Sequence, residues 1–350
     1  MIASPKVLAK APARQAGRMP GPLDVLSDVL RVVRLSGAIL FRGELAAPWA
    51  MKTPEATDLA KVLMPGAKQL MLFHLIAEGH CWIDLEGTGK VDLQAGDVAV
   101  FPYGDSHTMA SDLSTQPVPV ASVLRGAVVK DGIPVCEVGG GGEQTRIVCG
   151  FLHCDELLFN PLCKALPPLI RVRSEDAPAI SLLAASVRHA IYQSGGAQPG
   201  STCLLSRLSE LLFIEVLRRH IASMPPGAAG WLGALNDPIV GRVLQLMHAD
   251  SAHPWTVESL ARECATSRSL LAARFKQMLG QPPMQYLACW RLQLAAEMLR
   301  EGALGIGAIA ERAGYESEPA FNRAFKRYAG EPPAAWRDKI RGTTPSTGRR

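Results

Sequence analysis

Several features that would assign this chain to a common class are missing. No run of about 18 uninterrupted apolar residues occurs, so no transmembrane helix and no membrane partner are expected. Residues 1–22 carry Lys6, Lys10, Arg14 and Arg18 and no acid. No apolar stretch follows Arg18 as a secretory signal requires, and the chain reads as cytoplasmic. The eight cysteines include no C-x-x-C pair, which removes the usual zinc-ribbon and thioredoxin-like patterns. In a reducing compartment they are expected as thiols, most of them small buried hydrophobes. No H-x-H occurs anywhere. Charged residues are 20% of the chain against 48% hydrophobic, a balance that excludes wholesale disorder and allows a sizeable core.

At 350 residues the chain is too long for one ordinary domain, and its charge divides along its length. Residues 231–350 hold 16 Lys or Arg against 11 Asp or Glu, whereas residues 23–230 hold 17 against 21. An acidic body with a basic carboxyl-terminal part fits a protein that meets a polyanion with one end.

From Leu23 to Arg173 short apolar-polar alternations such as Cys81-Trp82-Ile83-Asp84-Leu85, and an apolar run from Val98 to Phe101 before Pro102, are punctuated by Gly, Pro and Asp. Short strands at such spacing predict a β-sandwich or barrel. Gly96, Pro102, Gly104 and His107 fit G-x5-P-x-G-x2-H, which resembles the second motif of the cupin jelly-roll family. Metal-binding cupins also carry an H-x-H and a Glu on an earlier strand, and this chain has neither. A first-row metal needs about three protein ligands. His107, with His74 or His80, is therefore read as a hydrogen-bonded interior residue, and no metal or cofactor is expected.

Helical spacing follows. Ile180, Leu183, Ala184, Val187 and Ile191 make one apolar face, and Leu204, Leu205, Leu208, Leu211, Leu212, Val216 and Ile221 make a broader one. Residues 174–224 are read as a helical connector that packs on the barrel or pairs two chains, and residues 225–236, with Pro225-Pro226-Gly227, as a linker. Beyond it lies an internal repeat. Phe275-Lys276, Gly280, Pro282 and Pro283 recur fifty residues on as Phe325-Lys326, Gly330, Pro332 and Pro333. Each copy predicts a helix, a short turn and a second helix. Leu270, Leu271, Phe275 and Met278 are assigned to the buried face of the first second-helix, and Phe321, Phe325 and Tyr328 to that of the other.

These carboxyl-terminal residues resemble the AraC/XylS family of transcription regulators. Trp255 to Ala261 resembles the opening of the family's first helix-turn-helix unit, Trp290 to Leu299 its linker helix, and Ile309 to Lys326 its second unit. The amino-terminal part is similar to the cupin-type sensor domains of one branch, through Phe73-His74, Val148-Cys149-Gly150, Asn160-Pro161-Leu162 and Leu166-Pro167. The resemblance implies a multidomain α+β chain. A disordered basic tail covers 1–22 and a jelly-roll-like β-barrel sensor 23–173. The helical connector and linker follow, then an all-α domain with two helix-turn-helix units over 237–342 and a disordered tail over 343–350. It also implies a homodimer, double-stranded promoter DNA and RNA polymerase as partners, and no catalytic residue.

Candidate DNA-binding residues are Arg268, Ser269, Arg274, Lys276, Glu318, Asn322, Arg323, Lys326 and Arg327. Ala273 stands where the family usually has Arg. Ser269, Ala272 and Ala273 suit a thymine methyl or a water rather than a bidentate contact to guanine, a role that falls to Arg323 beside Asn322. Lys276, Lys326, Arg327 and Arg274 are expected at phosphates. Candidate sensing residues are His74, Cys81, His107 and Cys149, with Cys136 and Cys154 as possible additions, for a small-molecule or oxidant signal. The competing reading is a metal-dependent cupin enzyme fused to a DNA-binding module.

Overall fold

The computed structural model describes residues 24–343 apart from 68–69, 155–158, 163–164, 176–177 and 193–198, so the expected tails lie almost wholly outside the described residues. The first part runs α1 (Val25–Val33), β1 (Leu35–Ala46), β2 (Ala50–Thr53), α2 (Ala56–Leu63), β3 (Met71–Glu78), β4 (His80–Leu85), β5 (Gly89–Gln94), β6 (Val98–Phe101), β7 (His107–Ala110), β8 (Val118–Pro119), α3 (Val120–Arg125), β9 (Val128–Lys130), β10 (Ile133–Gly139), β11 (Gln144–Cys154) and β12 (Ile170–Val172). The rest is helical: α4 (Pro178–Tyr192), α5 (Ser201–Ser223), α6 (Trp231–Leu235), α7 (Val240–Ala249), α8 (Val257–Glu263), α9 (Arg268–Leu279), α10 (Pro283–Glu301), α11 (Ile306–Arg312), α12 (Glu318–Ala329) and α13 (Pro333–Thr343).

The strands form two open sheets rather than a closed barrel. One has seven strands in the order β12-β6-β3-β11-β1-β10-β9, and the other five, β5-β4-β7-β2-β8. Strand alternation divides the larger sheet's side chains between two cores. Leu72 and Ile76 of β3, Phe41 and Leu45 of β1 and Ile147 of β11 meet Ile83, Leu85 and Met109 of the smaller sheet in an interlayer core. Phe73, Leu75, Val148 and Leu152 point the other way, onto α1, α4 and α5.

That second core does not stop at the amino-terminal half. It runs on through Trp231, Val243, Leu244, Leu260, Leu271, Phe275, Tyr286 and Trp290 of α6 to α10. Leu212 is 2% exposed within it, so the face proposed for pairing two chains is partly intrachain core. Leu204 and Leu211, seven residues apart on α5, are instead 52% and 50% exposed. Polar contacts fasten the same junction. The Phe159 N–H donates to Gln293 Oε1 at 2.9 Å, and Arg34 pairs with Glu297 at 3.3 Å. A separate core of Leu292, Ala295, Leu299, Ile309, Phe321 and Phe325 lies between the far side of α10 and α11–α12.

The two helix pairs α8–α9 and α11–α12 are built by the same local chemistry. Ser267 and Ser317 cap α9 and α12 by accepting the N–H of Leu270 and Ala320, each cap contributing roughly 1 kcal/mol. Gly280 and Gly330 end these helices in the left-handed region at φ 70° and 83°. In the turns between helices Gly314 takes φ 78° where the first copy has Ala265 at φ 48°. A side chain at Gly314 would meet the Ala252 carbonyl at 2.8 Å, whereas Ala265 bears a left-handed strain of about 1 kcal/mol.

Candidate functional site

The outward sides of α9 and α12 collect the predicted DNA-binding residues. Phe275 and Phe325 anchor each helix inward at 0% exposure. Arg268, Ser269 and Lys276 on α9, and Glu318, Arg323, Lys326 and Arg327 on α12, are exposed. Arg323, Lys326, Arg327 and Lys276 have no ion-pair partner among the described residues, so their charges are available to an external anion. Arg268 lies 3.7 Å from Glu258, an exposed pair that holds it weakly.

Three candidates sit differently from expectation. Arg274 is not held out for a phosphate. Its Nε donates to Asp237 Oδ2 at 2.8 Å, while the other oxygen of Asp237 caps α7 by accepting the N–H groups of Ile239 and Val240. Arg274 thus ties α9 to α7, because two charge-assisted bonds to an already positioned carboxylate hold the guanidinium in place. Asn322 is half-buried, with its Oδ1 turned into the protein and unpartnered. Leu270 was assigned to the buried face and is 52% exposed, since Leu271, Phe275 and Met278 fill that face without it.

Inside the amino-terminal half, three of the four sensing candidates join in a chain. Cys149 Sγ lies 2.8 Å from His74 Nδ1, His74 Nε2 lies 2.7 Å from His107 Nε2, and His107 Nδ1 lies 2.8 Å from the Asp105 carbonyl. A carbonyl only accepts, which assigns the tautomers in turn. His107 donates from Nδ1, so its Nε2 accepts from His74 Nε2–H, and His74 Nδ1 accepts the Cys149 thiol proton. Both rings are neutral in this arrangement, because a second proton would set two donors against each other. Burial, then the neighbouring His107, holds His74 well below the ordinary value of 6.5. Burial brings His107 down to about 4. Burial raises the Cys149 thiol well above its usual value and lifts Cys81, first by burial and then through Asp97, to about 12. Phe101 stacks on His107 with ring centroids 3.7 Å apart, closing the chain's flank.

Cys81 and Cys136 are buried in the same interlayer core, and Cys154 is half-exposed at the end of β11. None of the described cysteines is in a disulfide. The imidazoles and thiol lie end to end and do not converge on one point, and no group of three or more His, Cys, Asp or Glu among the described residues is placed to hold a metal ion. The cupin metal site does not fit these residues.

A third polar cluster was missed in the sequence, since nothing local marks it. Trp231 Nε1 donates to Tyr286 Oη at 3.0 Å, and the Tyr286 hydroxyl in turn bonds His248 Nε2 at 2.9 Å. His248 Nδ1 is buried without a hydrogen bond, 3.9 Å from Asp28 of α1, and burial lowers this ring to about 3.

A model described as "Cupin" matches residues 24–222 and one described as "Helix-turn-helix domain" matches residues 260–339. An AraC-like transcription regulator of Streptomyces antibioticus is 38% identical over 324 residues, covering 90% of this chain and 98% of that one. The chain belongs to the AraC-like transcription regulators. The regulator AlkR of Acinetobacter baylyi is 30% identical across 78% of this chain and 89% of its own. RclR of Escherichia coli, named as an RCS-specific transcriptional activator, is 26% identical across 92% and 100%. Like its relatives, this AraC-like chain is a DNA-binding transcription regulator with a cupin-type amino-terminal domain, and not an enzyme. Among the described residues no helix is long and apolar enough to cross a membrane.

The buried histidines predict a pH dependence. His74, His107 and His248 all titrate below 6.5 when folded. The unfolded chain therefore binds more protons below that pH, and stability present at neutral pH is lost as pH falls from about 6.5 towards 4. Each ring contributes up to about 1.4 kcal/mol per pH unit in that window. Denaturant unfolding at a series of pH values should show the loss, and His248→Gln should reduce its slope by close to one proton. An unchanged slope would contradict the assignment of a neutral buried ring.

Proposed function

We propose that both helix pairs are helix-turn-helix units that read promoter DNA, and that the sensor half sets their activity on a promoter served by RNA polymerase. The observation that carries this is the likeness of α9 and α12, two helices with equivalent caps and equivalent anchoring phenylalanines. Their outward cations Lys276, Arg323, Lys326 and Arg327 answer to no acid among the described residues. Arg323 is assigned to a guanine edge and Lys276, Lys326 and Arg327 to phosphates. The full chain is the form to test, because α6, α7, α9 and α10 share their core with the sensor half and a carboxyl-terminal fragment would uncover it.

Affinity for a selected duplex should fall steeply with salt as counterions are released. Arg323→Ala should relax preference at one or two base pairs by about 1–3 kcal/mol. Lys326→Ala should weaken all sequences alike and lower the salt slope by about one unit. If Arg323→Ala weakens every single-base variant equally, Arg323 is a phosphate contact.

A homodimer is proposed through the exposed stripe of Leu204 and Leu211, with Leu182 of α4, 69% exposed, as a further apolar contact. A protein that reads paired sites gains from a second copy on such a face. Leu204→Glu with Leu211→Glu should give monomers in sedimentation while far-ultraviolet circular dichroism stays unchanged. A persisting dimer would move the interface elsewhere.

Of the two candidate signals we take the oxidant; burial keeps the Cys149 thiol protonated, so its hydrogen bond to His74, and not a lowered pKa, is what would assist proton loss on attack. The RCS-specific naming of the Escherichia coli relative supports the same choice. Cys149, hydrogen-bonded to His74, is the assigned thiol, with Cys81 in the same core. Treatment with a neutral two-electron oxidant should change DNA affinity in the parent chain and leave Cys149→Ala unaffected. A parent chain that does not respond would leave the small ligand as the signal.

A further inference from the structure

On α9 the positions 269, 273 and 274 offer guanine nothing to bond in two places. Ser269 and Ala273 are short, and Arg274 is engaged by Asp237. What projects from that side is Leu270, 52% exposed in the first turn of the helix, with Arg268 and Lys276 nearby as cations. Leu270 is dispensable to the fold, because the inward side is already filled by Leu271 at 0% and Phe275 at 0%. Alanine would serve the helix as well and leave less apolar surface uncovered. Fifty residues on, the equivalent of Leu270 is Ala320 and the equivalent of Ala273 is Arg323. The two helices are therefore built alike and equipped differently.

We infer that Leu270, with Ala273 beside it, is a specificity-determining residue that reads the 5-methyl group of thymine in the major groove. This rests on the reading of α9 as a DNA-reading helix. Residues three apart share one side of a helix, so Leu270 and Ala273 form one small apolar patch. The first turn of a recognition helix is the part that meets base edges. In the major groove only thymine presents an apolar group among the four bases. Leucine has no donor for a phosphate, so the patch contributes nothing to sequence-independent binding. Arg268 and Lys276 supply the backbone attraction that holds the patch against the bases. The short side chains of Ser269 and Ala273 let the helix axis come close to the groove floor. The two units then divide the code, the first by methyl groups and the second, through Arg323, by a guanine edge.

The test uses the full chain and a duplex that it enriches from a random-sequence pool. Each thymine is replaced singly by deoxyuridine, which removes the methyl group and leaves every hydrogen-bonding group. The parent chain should lose about four-fold in affinity, the worth of one buried methyl, at one or two thymines. Leu270→Ala should bind the thymine and uracil forms equally there and keep the parent's salt slope. Leu270→Met, which keeps an apolar reach, should retain the preference. Uracil penalties that are the same in the parent and in Leu270→Ala, or absent from both, would overturn the assignment while DNA binding stands. Failure to enrich any duplex with salt-dependent affinity would instead overturn the reading of α9 as a DNA-reading helix, and this inference with it.

Discussion

Helix α10 has to bury both of its sides, and the carboxyl-terminal half is arranged around that demand. Tyr286, Leu287 and Trp290 enter the core that continues into the sensor half, while Leu292, Ala295, Ala296 and Leu299 make the floor of the second helix pair. A helix with apolar residues on two sides is stable in water only when other elements cover both. One side is therefore held against the amino-terminal half and the other carries α11–α12. Gln293, 1% exposed on this helix, must satisfy its amide, and it does so by accepting the Phe159 N–H. An orphaned amide there would cost about 1–3 kcal/mol, so the bond fixes the sensor's 159–160 segment to α10 as well as satisfying the side chain. The first helix pair shares its core with the amino-terminal half, and the second packs on α10.

The same economy governs the interlayer core of the sensor half. Alternation along β3, β11 and β7 sends His74, Cys149 and His107 into a slab otherwise filled by Phe41, Ile76, Ile83 and Phe101. Polar groups so placed have only each other to bond, and low polarity around them favours uncharged forms. The result is a line of three neutral groups ending on a backbone carbonyl near the surface. A line does not chelate, so these residues do not reproduce the metal site of metal-binding cupins. The two helix pairs show the opposite situation. Lys276, Arg323, Lys326 and Arg327 stand in water with no ion-pair partner among the described residues, where the cost of isolation is small and a polyanion is the natural counter-charge.

Much of this was legible in the chain. The fifty-residue repeat, with Gly280 and Gly330 at matching places, marked α9 and α12, and the basic balance of residues 231–350 marked their partner. These signals are local: a cap, a turn or a helical period is written within a few residues, and periodicity names the inward side of a long helix. The Gly96 to His107 motif likewise located His107 inside the strand layers. What no local pattern could decide was pairing over long separations. Arg274 reads as a surface cation until Asp237, 37 positions away, is brought to it. Leu212 and Leu204 belong to one apolar stripe in the sequence, but α5 is wide enough to bury one against the sheet and leave the other in water. Leu270 and Leu271 are adjacent leucines, and only the direction of the core separates them. The sheets stayed open, and Cys149 met His74, because hydrogen-bond register between distant strands is set by how whole layers pack. Residue type and spacing established which elements form and what they are made to meet; the choice of partner for each polar group, and of which apolar residues remain outside, followed from tertiary packing, since it depends on neighbours that the chain order does not name.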